Sequence, residues 1–412
     1  MAIPEINISD YTYDLPEDRI ASYPVAERDA SKLLIYNKGV ISDTVFSHLP
    51  EIIPSGSLMV FNNTKVVPAR LLFRRTTGAF IEIFCLEPAE PEDYNLCFAS
   101  CETCIWNVIV GNKKKWKGEP IKLYLPDNHS SMLENLDLEA VLENDSDGKV
   151  QVRFTWRGGE PFSKVMELCG KVPIPPYLHR DSESIDNERY QTLYASYRGS
   201  VAAPTAGLHF SENVLKELNR REIECENVCL HVGAGTFLPV KSEAISGHTM
   251  HSEPFSISFD TLNRIYNNID KKDIVAVGTT SVRTLESLYW LGADCAGSAV
   301  SGWTPSPVGQ WVPYESGIKD VPVKDAFGAL LEYCERNNLD RIVGRTRIII
   351  VPSYRYKVVT NLITNFHQPN STLLLLIAAL IGEDWRKVYA YALEHGFRFL
   401  SYGDSSLLMP RR

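Results

Sequence analysis

Two runs of small residues in this chain each carry a histidine, the side chain best suited to proton transfer near neutral pH. Gly199–Phe210 reads Gly-Ser-Val-Ala-Ala-Pro-Thr-Ala-Gly-Leu-His-Phe and contains His209, and the run His231–Phe237 begins at His231. Glycine and alanine leave the main chain uncovered, so a ligand can approach it closely. Either run alone also fits a tight turn around a core-facing histidine. Together, the two runs favour a small-molecule site.

A third segment reads as a buried strand, a Gly-Thr-Thr-Ser turn and a helix. The hydroxyls of this turn belong to Thr279, Thr280 and Ser281. With the free amides of the helix start, they suit an anion or a carboxylate. The positive charge of Arg283 opposes the helix dipole in the first turn, and a bound carboxylate or phosphate would explain it. A pair with Glu286 or another acid is the alternative. The segment matches neither the Walker loop nor the dinucleotide fingerprint.

The C-terminal part of the chain supplies two more polar segments. Asn361–Thr372 mixes hydrogen-bonding side chains with turn residues, contains His367, and leads into the apolar helix predicted over Leu373–Ile381. That helix is far shorter than the roughly 20 residues that cross a bilayer, so we expect it in the core. Phe397–Asp404 is typical of a pocket wall or a terminal strand.

These motifs, taken in order, resemble the S-adenosylmethionine:tRNA ribosyltransferase-isomerases of queuosine biosynthesis. The resemblance runs from about residue 10 to the end of the chain. It rests on Arg28–Ser31, Phe61–Arg70, Glu188–Thr192, Gly199–Phe210, His231–Phe237, Met250–Glu253, Gly278–Ser287, Leu362–His367 and Phe399–Asp404.

The resemblance implies that S-adenosylmethionine is a ribosyl donor and that 7-aminomethyl-7-deazaguanine at the tRNA wobble position is the acceptor. A base removes a proton next to the sulfonium, the ylide expels adenine, and the acceptor amine attacks the sugar. The products are epoxyqueuosine-tRNA, adenine and methionine, and no metal or further cofactor takes part. Histidine suits such proton transfer, although a structural role stays open for each candidate. The catalytic candidates are His209, His231, His251 and His367.

The same motifs supply the expected substrate-binding residues. They are Arg28, Asp29, Asn62, Arg70, Thr205, Gly207, Gly233, Gly235, Thr236, Glu253, Thr279, Thr280, Ser281, Arg283, Asn365, Ser371, Tyr402 and Asp404. For RNA we expect the densest basic run, whose aromatic could stack on a base. It consists of Lys113, Lys114, Lys115, Trp116 and Lys117. A solvated turn is the alternative for this run.

The chain departs from the family pattern at three places. Asn63 stands where the family has an aspartate, and Asn370 stands where it has a lysine. About 40 residues are added between Trp303 and Arg347; we call residues 303–347 the added segment and expect a helix over Val323–Asn337 within it. These departures leave two alternatives open. One is the same chemistry on a different acceptor, and the other is a non-catalytic RNA-binding protein.

Composition fits a cytoplasmic enzyme that does not enter a membrane. The chain has 412 residues, 44% of them hydrophobic, which is enough for a sizeable core. The nine cysteines lack a disulfide framework, and no signal peptide precedes the first motif. The net charge of −9 does not exclude tRNA, because binding depends on a local basic face. We expect a monomer or a weak homo-oligomer. Neither Cys101/Cys104 nor His248/His251/Glu253 has convincing metal-ligand spacing.

The order of predicted elements indicates an α/β main domain with an inserted all-β, barrel-like domain. We place the main domain at residues 1–64 and 158–412 and the insertion at 65–157. The insertion's predicted strands are Val66–Arg75, Ala79–Leu86, Asn95–Ser100, Ile105–Gly111, Pro120–Leu125, Leu136–Leu142 and Lys149–Trp156. Main-domain helices are expected at Phe162–Cys169, Glu212–Arg221 (capped by Ser211), Asp260–Asn268 and Ser281–Leu291. We expect the active site on the main domain, facing the insertion.

Overall fold

The computed structural model describes residues 3–125, 131–146, 149–233, 242–298, 302–315 and 320–411. Its strands are β1 (Lys32–Asn37), β2 (Val40–Val45), β3 (Leu58–Asn62), β4 (Thr64–Val66), β5 (Arg70–Arg74), β6 (Phe80–Glu90), β7 (Thr103–Gly111), β8 (Ile121–Leu123), β9 (Glu139–Ser146), β10 (Lys149–Thr155), β11 (Gly170–Lys171), β12 (Tyr197–Ser200), β13 (Glu224–Leu230), β14 (Glu253–Ser258), β15 (Ile274–Val277), β16 (Arg341–Thr346), β17 (Asn361–Asn365) and β18 (Ser405–Met409). Its α-helices are α1 (Leu49–Ile52), α2 (Tyr94–Ala99), α3 (Ser131–Leu136), α4 (Phe162–Cys169), α5 (Asp186–Arg189), α6 (Glu212–Arg220), α7 (Phe259–Asn268), α8 (Thr279–Gly297), α9 (Val323–Arg336), α10 (Thr372–Ile381) and α11 (Asp384–Glu394).

The main domain is built on a mixed nine-stranded sheet in the order β16-β14-β13-β3-β15-β17-β18-β1-β2. The four neighbouring strands β13, β3, β15 and β17 are parallel. Their carboxyl ends therefore meet at one edge, where ligands bind in open α/β sheets.

Both faces of this sheet are covered, which explains why β3 is apolar throughout. Leu58 and Val60 belong to the core beneath α8, whereas Met59 and Phe61 belong to a second core beneath α6. A strand buried on both faces reads as a continuous apolar run rather than an alternating one.

The inserted domain is a closed antiparallel barrel. Strands β5, β6, β7, β10, β9 and β8 pair in that order, and β8 pairs back to β5 through Phe73 and Leu123. Its core holds Phe73, Trp106 and Phe154 together with Phe162 of α4. After α4 the chain returns to the barrel sheet, where β11 pairs with β5. The expected fold class, an α/β domain with a barrel-like insertion, is confirmed.

Most predicted elements are present, but one is wrong and one packs in the other domain. Helix α4, expected in the main domain, contributes Phe162, Val165 and Met166 to the barrel core. The predicted strand Asn95–Ser100 is part of helix α2, because the side chain of Asp93 caps the helix by accepting from the amide of Leu96 at 3.0 Å. The predicted cap Ser211 is confirmed, since its hydroxyl accepts from the amide of Val214 at 3.2 Å. Phe397–Asp404 is irregular and precedes β18.

The added segment supplies a helix and an edge strand to the main domain. The predicted helix is present as α9, which packs on α8 through an apolar face that includes the buried Ala326, Leu330 and Cys334. Strand β16 pairs with β14 at the edge of the sheet, and Val308 bridges to Thr346 beside it. Within the described ranges, no helix is both long and apolar enough to cross a membrane.

Candidate active site

A cavity of about 380 Å³ lies at the carboxyl ends of the parallel strands. Segments that follow β13, β15 and β17 contribute to its wall. The predicted site residues that line it are Thr205, His251, Glu253, Thr279, Thr280, Arg283, Asn365, His367 and Ser371. The structure therefore brings together motifs that lie far apart in the sequence.

The start of helix α8 forms the polar end of this cavity. Gly278 precedes the helix at φ +86° and ψ 154°, a conformation that only glycine adopts readily. The first amides of a helix have no partner within the helix. The hydroxyl of Thr280 is buried and has no hydrogen-bond partner among the described residues. Together these donors can hold an anionic group of a ligand.

Arg283 and Glu253 form a buried ion pair in the cavity wall. Nη1 of Arg283 donates to Oε2 of Glu253, and Nε donates to the carbonyl of Ile348 at 3.3 Å. The other oxygen of Glu253 accepts from the amide of Gly233 at 3.1 Å. The partner of Arg283 is thus an acid other than Glu286, as one sequence alternative allowed. Its Nη2 is buried and unpartnered among the residues described, so it remains available to a bound carboxylate.

His367 lies in the cavity wall just after β17 and contacts a hydroxyl of that strand. Its Nε2 is 2.9 Å from Oγ1 of Thr364, and its Nδ1 has no hydrogen-bond partner within the described part of the chain. Tyr389 fixes the backbone by accepting from the amide of His367 at 3.0 Å. Burial lowers the pKa of the His367 imidazole to about 3. The ring is therefore neutral at pH 7 and can accept a hydrogen bond.

His248 and His251 line the cavity nearer to solvent. His251 is exposed and His248 is half-buried. Burial, with a smaller contribution from His251, lowers the pKa of His248. Sequence reasoning considered His248 only as a metal ligand and missed it as part of the cavity. The described ranges contain no group of three or more histidine, cysteine or acidic side chains arranged to hold a metal ion.

His209 is buried behind the cavity rather than in its wall. Its Nδ1 is 2.7 Å from the Ser31 hydroxyl, and its Nε2 is 3.2 Å from Oδ1 of Asn365. Asn365 lines the cavity. Burial lowers the pKa of His209 to about 4. His209 can therefore influence a ligand only through Asn365.

His231 lies between the two domains. Its Nδ1 is 3.1 Å from the Thr64 hydroxyl, and its ring stacks on Tyr94 of barrel helix α2 with 4.7 Å between the centroids. Burial lowers its pKa to about 4. It does not line the cavity, so this geometry favours a role in domain packing.

Other predicted site residues also lie outside the cavity wall and have partners within the protein. Three of them bind backbone groups: Arg28 donates to the carbonyls of Leu208 and Glu188, Asn62 bonds both backbone groups of Leu230, and Ser281 donates to the carbonyl of Val277. Three bind side chains: Asp29 accepts from Ser211, Arg70 pairs with Glu82, and Tyr402 donates to Asp186. Asp404 accepts from the backbone amides of Arg398 and Lys32. Gly207 is needed for packing, because a Cβ there would lie 1.9 Å from the Tyr194 hydroxyl. Gly233 precedes Gly235 and Thr236, which lie outside the described residues.

The predicted RNA-binding run lies on a barrel turn after β7. Lys114, Lys115 and Lys117 are exposed, whereas Lys113 pairs with Asp145 at 2.5 Å. The expectation of a stacking aromatic is wrong. The Trp116 ring is buried, and its N–H donates to the carbonyl of Glu119 at 2.7 Å.

The two departures in the motifs lie outside the cavity wall. Asn63 is buried beyond the end of β3, and its side-chain oxygen has no partner among the described residues. Asn370 has φ 56°, a left-handed conformation that asparagine tolerates better than lysine does. Its amide donates to the carbonyl of Tyr11 at 2.9 Å. Neither asparagine lines the cavity.

Comparison with known proteins identifies the family. The family model described as "Queuosine biosynthesis protein" matches residues 8–408. A protein of Desulfitobacterium hafniense named S-adenosylmethionine:tRNA ribosyltransferase-isomerase is 35% identical over 98% of this chain and 100% of its own length. A Treponema denticola protein of the same name is 35% identical over 97% and 99%. A crystal structure of S-adenosylmethionine tRNA ribosyltransferase from Thermotoga maritima is 25% identical, covers 97% of this chain and 100% of its own, and has a TM-score of 0.46. The chain belongs to the queuosine biosynthesis protein family.

Proposed function

We propose that this protein is an S-adenosylmethionine:tRNA ribosyltransferase-isomerase. It transfers and isomerises the ribosyl moiety of S-adenosylmethionine onto 7-aminomethyl-7-deazaguanine at the tRNA wobble position, releasing adenine and methionine. One observation carries this proposal. In a chain of this family, a cavity at the carboxyl ends of the parallel strands holds a helix start, a buried carboxylate, and a buried arginine with one nitrogen that has no partner among the described residues.

The charges of the cavity match those of the donor. The methionine carboxylate would bind the amides of α8, the Thr280 hydroxyl and Nη2 of Arg283, where charge-assisted hydrogen bonds are strong. The carboxylate of Glu253 would face the ammonium or the sulfonium. The cavity volume falls within the usual range for small-molecule sites.

Two histidines of the cavity wall are candidates for the base that takes the proton next to the sulfonium. His251 lies at the exposed side of the cavity. His367 is neutral, and its Nδ1 has no hydrogen-bond partner among the described residues, but its lowered pKa makes it a weak base. His209 and His231 have structural contacts instead, so we assign them no proton transfer. Adenine release by the alanine variants of His251 and His367 would identify the base.

Catalysis with the wobble base as acceptor is favoured over the two alternatives, a different acceptor and a non-catalytic RNA-binding protein. A different acceptor would be supported by a change in the cavity, but Asn63 and Asn370 both lie outside its wall. A non-catalytic RNA-binding protein would have no need for the charged donor end of the cavity. Because tRNA is the acceptor, we place the reaction in the cytoplasm, with S-adenosylmethionine as co-substrate and no further cofactor. A monomer or weak homo-oligomer stays a prediction.

The test is to incubate the protein with S-adenosylmethionine and tRNA carrying the aminomethyl base, and to measure adenine. We expect release that depends on both substrates. The control is the same tRNA with guanine at the wobble position, which should give none. Binding of S-adenosylmethionine without any adenine release would refute the proposal.

A further inference from the structure

Gln310, in the added segment, holds the backbone of a loop that lines the donor cavity. Its side chain is buried. Its Oε1 accepts from the amide of Met250 at 2.9 Å, and its Nε2 donates to the carbonyl of His248 at 2.8 Å. The Met250 carbonyl accepts from Nε of Arg347 at 3.2 Å. Both backbone polar groups of Met250 are therefore satisfied by side chains from residues 303–347.

The loop that Gln310 holds has little structure of its own. Residues 248–252 belong to no helix or strand, although they carry cavity residues His248 and His251 and lead directly into Glu253. The amide of His248 donates to the carbonyl of Ile245 at 3.0 Å, and the other hydrogen bonds of the loop to described residues come from three side chains. Gln310 binds the loop at His248 and Met250, Arg347 binds it at Met250, and Arg345 donates to the hydroxyl and the carbonyl of Ser252 at 3.1 and 3.4 Å.

The backbone around Gln310 is itself firmly attached. The amide of Val308 donates to the carbonyl of Arg345 at 2.8 Å, and the amide of Arg347 donates to the carbonyl of Val308 at 2.9 Å. The amide of Ile349 donates to the carbonyl of Gln310 at 3.3 Å. Residues 308–310 therefore form a short extended segment that runs alongside the end of β16 and the residues that follow it, up to residue 349.

The segment next to Gln310 also contacts the arginine of the donor site. Nε of Arg283 donates to the carbonyl of Ile348, one residue before the partner of Gln310. The side chain of Gln310 thus contacts the loop that leads to Glu253. The backbone carbonyl of Gln310 contacts the segment whose Ile348 carbonyl accepts from Arg283. The two members of the buried ion pair are tied to one residue of the added segment.

We propose that Gln310 is a positioning residue for the donor site, which sets the loop of residues 248–252 relative to Arg283. The inference rests on the proposed function, since it assigns that cavity to S-adenosylmethionine. It gives the added segment a role in binding the donor rather than the tRNA.

Gln310→Ala is the first test. Loss of two buried hydrogen bonds should raise the KM for S-adenosylmethionine about tenfold, with the KM for tRNA unchanged. The matched control is Gln191→Ala. Gln191 also holds one backbone residue through both ends of its amide, but that residue is Val66, outside the cavity wall. This control should lose comparable stability and keep the wild-type KM for the donor.

Gln310→Glu provides a second test with its own readout. A carboxylate can still accept from Met250 but repels the His248 carbonyl, whereas the protonated acid can donate to that carbonyl as the amide does. The donor KM of Gln310→Glu should therefore return toward the wild-type value as pH falls from about 8 to about 5.5, because burial raises the pKa of such an acid. If Gln310→Ala does not fold, this variant carries the test.

Calorimetric titration with S-adenosylmethionine alone separates the two proposals. Wild-type binding without turnover would refute the proposed function, and the Gln310 variants would still be compared by affinity. Wild-type affinity in Gln310→Ala, or an equal rise in both KM values, would overturn the role of Gln310.

Discussion

Nε2 of His209 lies 3.2 Å from Oδ1 of Asn365, and this contact fixes the proton on the buried imidazole. The amide nitrogen of Asn365 donates to the carbonyls of Leu400 and Ser401 at 2.9 and 3.2 Å. Its oxygen therefore faces His209 and requires a donor, so Nε2 carries the hydrogen. Nδ1 then accepts from the Ser31 hydroxyl. The neutral tautomer follows from the hydrogen bonds around it.

Asn365→Asp should raise the pKa of His209. A carboxylate next to Nε2 favours the imidazolium and typically shifts such a group by roughly one to three units. The pKa can be followed by the NMR titration of the His209 ring protons. Ser31→Ala, which removes the neutral partner at Nδ1, serves as the control and should produce a much smaller change. A pKa that stays near its low wild-type value in a folded Asn365→Asp protein would contradict the orientation assigned to Asn365.

The buried histidines should make stability depend on pH below neutrality. The pKa values of His209, His231 and His367 are lowered to about 4, about 4 and about 3. In the unfolded chain these rings bind protons below about pH 6.5, whereas in the folded protein they do not until far lower pH. The free energy of unfolding should therefore fall as pH drops from 6.5 to 5, by up to about 1.4 kcal/mol per pH unit for each histidine. Urea unfolding at a series of pH values measures this slope. His209→Asn should lower this slope by the contribution of about one proton taken up on unfolding. An unchanged slope would rule out a buried neutral His209.

Arg283→Ala should raise the KM for S-adenosylmethionine about ten- to a hundredfold, because a charge-assisted hydrogen bond to the methionine carboxylate is lost. Arg264→Ala is the matched control. Arg264 also pairs with a glutamate, Glu226, but its side chain is 62% exposed and does not line the cavity. Steady-state kinetics of adenine release gives both constants. An unaltered donor KM in a folded Arg283 variant would remove this arginine from the site.

Glu286→Gln should destabilise the protein by about 2–4 kcal/mol, since it leaves one or more buried donors without an acceptor. The Glu286 carboxylate accepts from the Tyr354 hydroxyl at 2.6 Å and from the amides of Lys357, Val358 and Val359 at 2.9, 3.0 and 2.9 Å. A glutamine would present an amide group to those donors. Denaturant titration measures the loss, and the exposed Glu224→Gln is the control. Equal stability of the two variants would mean that the network is not maintained.

Neutralising Lys114, Lys115 and Lys117 together should weaken tRNA binding and flatten its salt dependence. Each lost phosphate contact lowers the log–log slope by about 0.7–0.9. Alanine replacements of Lys216, Lys271 and Lys387, which are exposed on the main domain, are the control. Affinity measured at several salt concentrations gives the slopes. Equal slopes for the two triple variants would identify the barrel run as a solvated turn.

The sequence predicted the elements better than it predicted side-chain directions. The strand, glycine turn and helix around Gly278 could be predicted because backbone conformation and hydrophobic runs are local properties. The positions of His209 and His231 could not, because His209 ends a short 3-10 helix and His231 directly follows β13, where no periodicity shows which way a side chain points. The proximity of Glu253 to Arg283 joins the start of β14 to helix α8, and no local pattern specifies that pairing.

Two other errors have local causes. The cap formed by Asp93 at the start of α2 was a readable signal that the predicted strand overlooked. Trp116 stands among lysines, so its neighbours suggested exposure, but its side chain fills the barrel core instead. The contact of Gln310 with Met250 lies beyond sequence reasoning, since an isolated glutamine in a proline-rich stretch has no pattern to distinguish it.

The sheet order also determines when each domain can form during synthesis. The barrel strands and the short strand β11 that pairs with β5 are contiguous in sequence, so they can fold once residue 171 has left the ribosome. Strand β3, at the centre of the main sheet, must wait for β13 and β15. Strand β1 pairs locally with β2, but its other edge must wait for β18 near the end of the chain. Such long-range pairing is slow. During translation, both edges of the apolar β3 and one edge of β1 therefore stay open while the barrel can already form, so the nascent chain exposes strand edges until the last strand of the sheet is made.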